Sequence, residues 1–440
     1  MRHRGDIALL TMMAMTKVIR ALQVLALLLA QTRALDGMAM TKVIRPLQVL
    51  ALLLTQTRAL STIAKPLTTT SSLRAPGLLT TPVESLRSLI GEARTRSVWK
   101  ALREGRDPCV QEETPELSRW TRETLTAAYG SGADARCADA RTAEDGTTKL
   151  LVEFGDRDAV EAVLIPQLTR GKATSTLCVS SQVGCAMGCA FCATGKMGLI
   201  RSLTDDEIAA QLWLALRTAR SVPDLPPLRS IVFMGMGDAG TNPKHAKAAA
   251  ECFTDPDRFG FSRHRLTLST VGPSPSAFLA LAAAPGQLAW SVHAVDADLR
   301  KRLVPTAAWE PEALRDGLLD ALRATRPMHS KERSVMLAVT LLAGVNDSLE
   351  HARALAEFVQ PVRAETPRLI VDLIPYNPID AADAFQRPSF EAVSAFQREL
   401  KAHAPGLFIG VRNARGDDEA AACGQLATNA QKRRSANLNP

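Results

Sequence analysis

Four of the eight cysteines fall within one short run, TLCVSSQVGCAMGCAFCATGKMG, as Cys178 and then Cys185, Cys189 and Cys192. The last three stand in a C-x3-C-x2-C spacing. A loop this short brings three thiolates together, enough to hold three irons of a four-iron cluster and leave the fourth open to an exogenous chelate. An open iron means chemistry rather than storage. Two plainer readings compete: a zinc site, and buried thiols that bind nothing. Structural zinc normally closes with a fourth ligand from a second cysteine pair or a histidine pair. The seven histidines (His3, His245, His264, His293, His329, His351, His403) contain no close pair. Phe191 just before Cys192, with Gly195 and Gly198 after it, suits a loop wrapped around a bulky ligand. Eight cysteines in 440 residues do not indicate a disulfide framework.

Further along, FMGMGDAG (Phe233 to Gly240) closes an apolar run with glycines whose bare backbone lets a ligand approach. LSTVG places Ser269, WSVHA places Ser291, Val292 and His293, and IPYNP places Asn377 at the ends of other apolar runs. Taken singly, a serine or histidine at such a position reads as well as a satisfied core residue. Their number and order are what carry weight.

The C-x3-C-x2-C with its aromatic resembles the radical S-adenosylmethionine (SAM) enzymes, whose open iron is chelated by the amino and carboxylate groups of SAM. The longer string LCVSSQVGC…GCAFCATGKMG…LT-x-x-EI resembles the radical SAM RNA methyltransferases, the RlmN and Cfr group. A second string, VRNARGDDEAAACGQLA from Val411 to Ala427, is similar to that family's C-terminal segment with its methyl-carrying cysteine. The similarity runs from about Ser85 to Ala427.

The resemblance implies a [4Fe-4S] cluster on Cys185, Cys189 and Cys192, and SAM contacts at Gly237, Asp238, Ser269, Ser291, Val292, His293 and Asn377. It further implies that Cys423 first takes a methyl group from SAM. The reduced cluster then splits a second SAM to a 5′-deoxyadenosyl radical, which removes a hydrogen from that methyl group, and the resulting radical adds to an adenine ring carbon. That carbon, most simply carbon 2 with carbon 8 as the near variant, is electron-poor, so transfer of a methyl cation would fail there. Cys178 would resolve the protein–RNA adduct by a disulfide to Cys423, and Glu161 would act as proton acceptor. The implied partners are rRNA or tRNA, with the base splayed out of its stack, and an electron donor such as flavodoxin or ferredoxin. The mature enzyme is expected to be a monomer without stable membrane association.

Departures from the family pattern are specific. Its GEP reads Gly237-Asp238-Ala239 here, and a carboxylate expected before the GVNDS-type segment is replaced by Leu337-Ala338-Val339. They motivate a rival reading as a catalytically impaired RNA-binding or ribosome-assembly factor that keeps its cluster. Another kind of radical SAM enzyme is a second rival.

These residues need a scaffold that gathers them. Beyond Ser175, β-branched runs alternate with amphipathic stretches, which predicts β-α units and a parallel sheet. Strands are expected near Thr176 to Val179, Ser230 to Met234, Arg265 to Ser269, Leu288 to Val292, Val335 to Leu341, Leu369 to Ile374 and Phe408 to Val411. Thr204-Asp205-Asp206-Glu207 predicts a capping box ahead of Ile208, Leu212 and Leu216. The fold class is therefore α/β, a partial (β/α)6 barrel over residues 171–412, with chemistry on the loops after the strands. Residues 84–170 read as a small accessory domain. It has helices with Trp99, Leu102, Trp120 and Leu125 as core, then a hairpin turning at Gly155-Asp156. Residues 413–440 form a C-terminal segment with the carrier cysteine and a basic tail.

Residues 1–83 read as a targeting leader. A segment from Met13 to Leu35 recurs almost unchanged from Met38 to Leu60, each copy with a basic start and a short apolar stretch. A stretch rich in Ser, Thr, Leu and Ala without acidic residues follows. This is the layout of signal-type and transit-type segments and suits a plastid, with a mitochondrion second and the cytoplasm if the leader does not act. A helix pair belonging to the fold and a duplicated gene-model start are the alternatives. No apolar run reaches the roughly 18 to 20 residues that span a bilayer. The formal charge of +8 sits in this leader, with ten basic and two acidic side chains, while residues 84–440 balance to zero. Any RNA grip must come from local clusters such as Arg300-Lys301-Arg302, Arg170 with Lys172, and Lys432-Arg433-Arg434.

Overall fold

Apolar, β-branched runs become strands where their composition expects them. The parallel set is β4 (Lys172–Cys178), β7 (Leu228–Phe233), β8 (Leu266–Thr270), β9 (Gln287–Ser291), β10 (Val335–Leu341), β11 (Leu369–Pro375) and β12 (Phe408–Val411). They lie side by side in that order, all parallel, and most are separated in sequence by helices that cross back over the sheet. The sheet does not close, since its first and last strands are not paired with each other. The fold is the expected α/β partial barrel. The computed structural model describes residues 78–428, apart from 131–134, 156–157, 170–171, 223, 328–329, 331–332, 367, 380–382 and 417–418. The tandem repeat, Arg170 and the Lys432-Arg433-Arg434 tail lie outside the described residues. Among the described residues no helix is long and apolar enough to cross a membrane.

The first barrel helix after the cysteine loop, α5 (Asp205–Ala219), starts as the capping box requires. Thr204 accepts from the backbone of Glu207, and Glu207 reaches back to the backbone of Thr204. Its buried face carries Ile208, Leu212 and Trp213, and each such side chain contributes about 1.5–3 kcal/mol on burial. That face also carries Gln211, whose Oε1 accepts from Ser180 N at 2.8 Å and whose Nε2 donates to Ser180 O at 2.9 Å. A buried amide thus fixes the backbone just after Cys178.

The N-terminal region differs in three respects from what its sequence predicts. Helices α1 (Val83–Ile90), α2 (Glu92–Arg103) and α3 (Arg119–Tyr129) form, with Trp99, Leu102 and Leu125 buried. Trp120 is 52% exposed instead of core. Thr121 and Leu125 take the inner face of α3, so Trp120, one step round the helix, turns outward and meets the Arg94 guanidinium 5.1 Å from its ring. The predicted hairpin exists as β2 (Thr148–Phe154) and β3 (Asp158–Thr169), but β3 pairs antiparallel with β4, so the barrel sheet continues through it. A further strand, β1 (Ala135–Thr142), pairs with β2 although its composition is poor for a strand; its partner's edge supplies the order.

The packed structure also begins before the boundary at residue 84 that the sequence suggests. Leu78 and Leu79 are buried, Cys252 Sγ donates to Leu79 O at 3.1 Å, and Thr80 donates to Asp206. Residues 78–83 therefore belong to the fold, because removing them would take two leucines out of the core.

Candidate active site

The cysteine loop runs from β5 (Gln182–Gly184) to the short helix α4 (Ala193–Met197) and returns through β6 (Leu199–Ser202), which pairs antiparallel with β5. Gly184 and Gly195 make this path possible. A Cβ on Gly184 would lie 1.8 Å from Gly198 O, and one on Gly195 would lie 2.6 Å from Cys189 O. Gly195→Ala should therefore open the loop at a cost of about 1–3 kcal/mol, as overpacking does. The expected readout is less iron retained per chain after reconstitution, with an unchanged far-UV circular dichroism spectrum.

Two cavities meet behind this loop. A smaller one of about 140 Å³ lies at the C-terminal ends of the strands and is lined by Cys185, Cys189 and Cys192. Gly237 and Asp238 after β7, Ser269 of β8, Ser291 of β9, His293 and Asn377 line it as well. A larger cavity of about 480 Å³ extends down the barrel interior and is lined by Cys178. Met234, Ile374, Asn377, Arg412 and Cys423 line both. The carrier cysteine of the sequence reading thus stands in the wall between the two spaces.

Several strand-end residues have distinct local jobs. Asp238 is buried, with Oδ1 accepting from Gly240 N and Thr270 Oγ1, both at 2.8 Å, and Oδ2 accepting from Val271 N at 2.6 Å. With these donors the carboxylate ties the loop after β7 to β8 and stands in the wall of the smaller cavity. His293 adopts φ 58° and accepts from Thr340 N through Nδ1 at 3.3 Å, with its ring edge-on to Phe191 at 4.8 Å. Burial, with Arg300 adding to it, pushes its pKa down to about 3. The ring is therefore neutral, with its proton on Nε2. Val292 does not line the smaller cavity. Its side chain is core, its N–H donates to Ala338 O and its carbonyl accepts from Arg300. The backbone of Val292, read from the sequence as a SAM contact, is thus engaged by β10 and by Arg300.

Arg300 is the main surprise. The Arg300-Lys301-Arg302 run was expected to be a surface cluster, yet helix α8 (Ala297–Leu303) turns Arg300 inward beside Leu299 and Leu303, where it is buried. It donates to Val292 O and Val271 O, pinning the ends of β9 and β8, while its Nε has no partner. An under-satisfied buried cation calls for negative charge nearby, and its electrostatic partners are Cys189 and Asp238. Burial pushes the Cys185 thiol up to about 12 and raises those of Cys189 and Cys192. Their thiolates would form only against bound cations. Asn377 Oδ1 is a second buried atom without a partner. Three cysteines that line one cavity, with a buried cation beside them, are a donor set that fits a four-iron cluster with one iron left open.

The C-terminal segment is stitched onto the loop and the barrel. Ala193 N donates to Gly424 O at 2.8 Å, Thr194 Oγ1 to Leu426 O at 2.6 Å, and Asn377 Nδ2 to Cys423 O at 3.0 Å. Arg412 Nη1 donates to the Cys423 sulfur at 3.1 Å. Burial, with the nearby Cys423 adding to it, pushes the Cys178 thiol up to about 12. Glu161 lines neither cavity. Its Oε2 accepts from Ala427 N at 3.0 Å and its Oε1 pairs with Lys149 at 3.3 Å, while burial raises its pKa. Glu161, read from the sequence as proton acceptor, thus holds the backbone of Ala427 at the end of the Cys423 segment. Arg412, Asp372 and Arg300 were not singled out as site residues, although Arg412 stands inside the quoted C-terminal string.

Residues 179–356 match the Radical SAM superfamily. The solved structure of a radical SAM methyltransferase from Sphaerobacter thermophilus superposes with a TM-score of 0.68 at 32% identity, covering 80% of this chain and 99% of that one. The dual-specificity RNA methyltransferase RlmN of Nitratidesulfovibrio vulgaris (strain DP4) is 36% identical over 357 residues, 78% of this chain and 91% of that protein. The chain belongs to the RlmN family of radical SAM methyltransferases. The RlmN of Marinobacter nauticus is 38% identical over 296 residues, 66% of this chain and 75% of that protein.

Membership in the RlmN family makes the protein an enzyme and implies the iron–sulfur cluster and SAM that the donor set accommodates. Two of the departures from the RlmN pattern fall on the smaller cavity, at Asp238 and Ala338. Asp238 keeps the carboxylate there, whereas Ala338 brings no charge.

Proposed function

We propose that the protein methylates carbon 2 of an adenine in rRNA or tRNA, with Cys423 as the methyl carrier and Cys178 as the resolving thiol. The observation that carries this reading is the place of Cys423 in the wall shared by two cavities, with Cys178 lining only the larger. The cofactor side holds the three cysteines, and the other side has room for a base. When bound, the cluster and SAM supply the methyl group and, after reduction, a hydrogen-abstracting 5′-deoxyadenosyl radical.

The chain's own residues do the rest. Cys185, Cys189 and Cys192 hold the irons. Gly237, Asp238, Ser269, Ser291, His293 and Asn377 would surround SAM, with the Asp238 carboxylate facing its ammonium and His293 offering its Nε2 proton. Cys423 would be the nucleophile that accepts the methyl group, its thiol proton passing to solvent. Adenine enters the larger cavity and bonds to carbon held on Cys423. Attack of the Cys178 sulfur on the Cys423 sulfur would form a disulfide as the carbon–sulfur bond breaks; the carbon keeps that electron pair and takes a proton, which releases the base with its methyl group.

The RNA itself meets the rim of the larger cavity, where exposed His264 and Arg265 face Arg415. These replace Arg300 in the grip expected from sequence. The accessory strands β1 to β3 extend the same surface, an external flavodoxin or ferredoxin supplies electrons, and the enzyme acts as a monomer. Nucleoside mass spectrometry of RNA incubated with reconstituted protein, SAM and reductant should show 2-methyladenosine. No 5′-deoxyadenosine above background would instead favour an impaired RNA-binding factor. The leader is read as delivering the protein to a plastid. Fusing residues 1–77 to a fluorescent reporter should give organellar signal, and diffuse cytosolic signal would contradict it.

A further inference from the structure

Most of what holds Cys423 in place acts on its backbone and that of its neighbours. Its carbonyl is held by Asn377, the next carbonyl by Ala193, and the segment beyond by Thr194 and Glu161. The hydrogen bond that acts on its sulfur comes from Arg412, 3.1 Å away.

Arg412 is itself rigidly placed. It follows β12 directly, its backbone N–H donates to Leu373 O at 2.8 Å, and its second guanidinium nitrogen donates to Asp372 on β11. One planar fork therefore joins the barrel wall to the carrier sulfur. A guanidinium keeps its charge and its geometry at every working pH, and this one lines both cavities. Asp372 balances the charge, so the pair remains neutral when the sulfur is neutral.

We propose that Arg412, anchored by Asp372, is the positioning residue of the carrier cysteine: it orients the Cys423 sulfur toward the smaller cavity for methyl uptake. This rests on the reading of Cys423 as carrier. The contact suits a sulfur with full lone-pair density. A thiol and a thioether are both weak acceptors, but the sulfur that attacks has given up its proton and is charged, so once the methyl–sulfur bond has formed Arg412 keeps its charge-assisted bond to Asp372 alone. The methylated side chain is then released from that contact and can turn toward the larger cavity. Arg412 therefore acts in loading more than in delivery.

The test compares Arg412→Met, Arg412→Lys and Asp372→Asn in reconstituted protein whose Cys423 peptide starts at its unmodified mass. The readout is the rate of methyl gain on that peptide with SAM. Arg412→Met should slow loading about 10- to 100-fold, the worth of a charge-assisted hydrogen bond. Iron content and the SAM concentration for half-maximal rate should stay unchanged. Lysine should restore part of the rate, and Asp372→Asn, which keeps the cation, should fall between lysine and wild type. Arg412→Met chains already methylated on Cys423 should lose less in single-turnover delivery to RNA than the same variant loses in loading. Wild-type loading in the Arg412→Met variant overturns the assignment, as does a loss that lysine does not relieve and that comes with lost iron. A wild-type chain that gains no methyl group on Cys423 refutes the carrier reading along with it.

Discussion

Cys423→Ala should yield no methylated RNA, a loss on the order of a thousandfold or more as expected when a covalent nucleophile is removed. It should also suppress the 5′-deoxyadenosine formed in the presence of RNA, because the hydrogen donor for that step is the methyl group on Cys423. Iron content should be unaffected, since Cys423 lines the cofactor cavity without belonging to the C-x3-C-x2-C set. The segment should stay docked, because its anchors are the backbone of Cys423, Gly424, Leu426 and Ala427. Nucleoside mass spectrometry and chromatography of the cofactor products check both losses. A variant that kept turnover would show that the methyl group takes another route.

Cys178→Ala should give the opposite kind of failure. Loading on Cys423 and addition to the base proceed, but no thiol remains to break the carbon–sulfur link. Covalent protein–RNA adduct should accumulate to about one per active site while released product falls by on the order of a thousandfold. Denaturing electrophoresis with labelled RNA reads this directly. The structure supports the assignment because Cys178 ends β4, lines the larger cavity and is close enough to Cys423 for the two to influence each other electrostatically. Cys109, Cys137 and Cys252 line neither cavity, so they cannot take over. If the variant released free product at the wild-type rate, Cys178 would be only a buried thiol.

Much of this site was legible in the sequence because its signals are local. The cysteine spacing, the glycines that let the loop close and the capping box of α5 each depend on a few consecutive residues. The strand-end motifs were legible once alternating apolar runs placed them on one edge of a sheet. What escaped depends on tertiary phase. Arg300 read as part of a basic surface run, but the turn of α8 puts it with Leu299 and Leu303 on the buried face. Trp120 read as core, and one step of helix phase exposes it. The Arg412–Asp372 pair needs the register of β11 against β12, which brings together residues 40 positions apart. Strand β1 forms because β2 offers an edge, which its own composition does not announce.

The central claim, that the methyl group travels through Cys423, is tested most directly with SAM labelled as the trideuteromethyl form and protein whose Cys423 peptide already carries an unlabelled methyl group. The first equivalent of methylated adenine should be unlabelled. Later product should carry two deuterons, because one is abstracted from the methyl group on Cys423 and replaced by a proton before release. Methylated adenine that carries three deuterons from the first turnover would contradict the account, since it would mean direct transfer from SAM to the base.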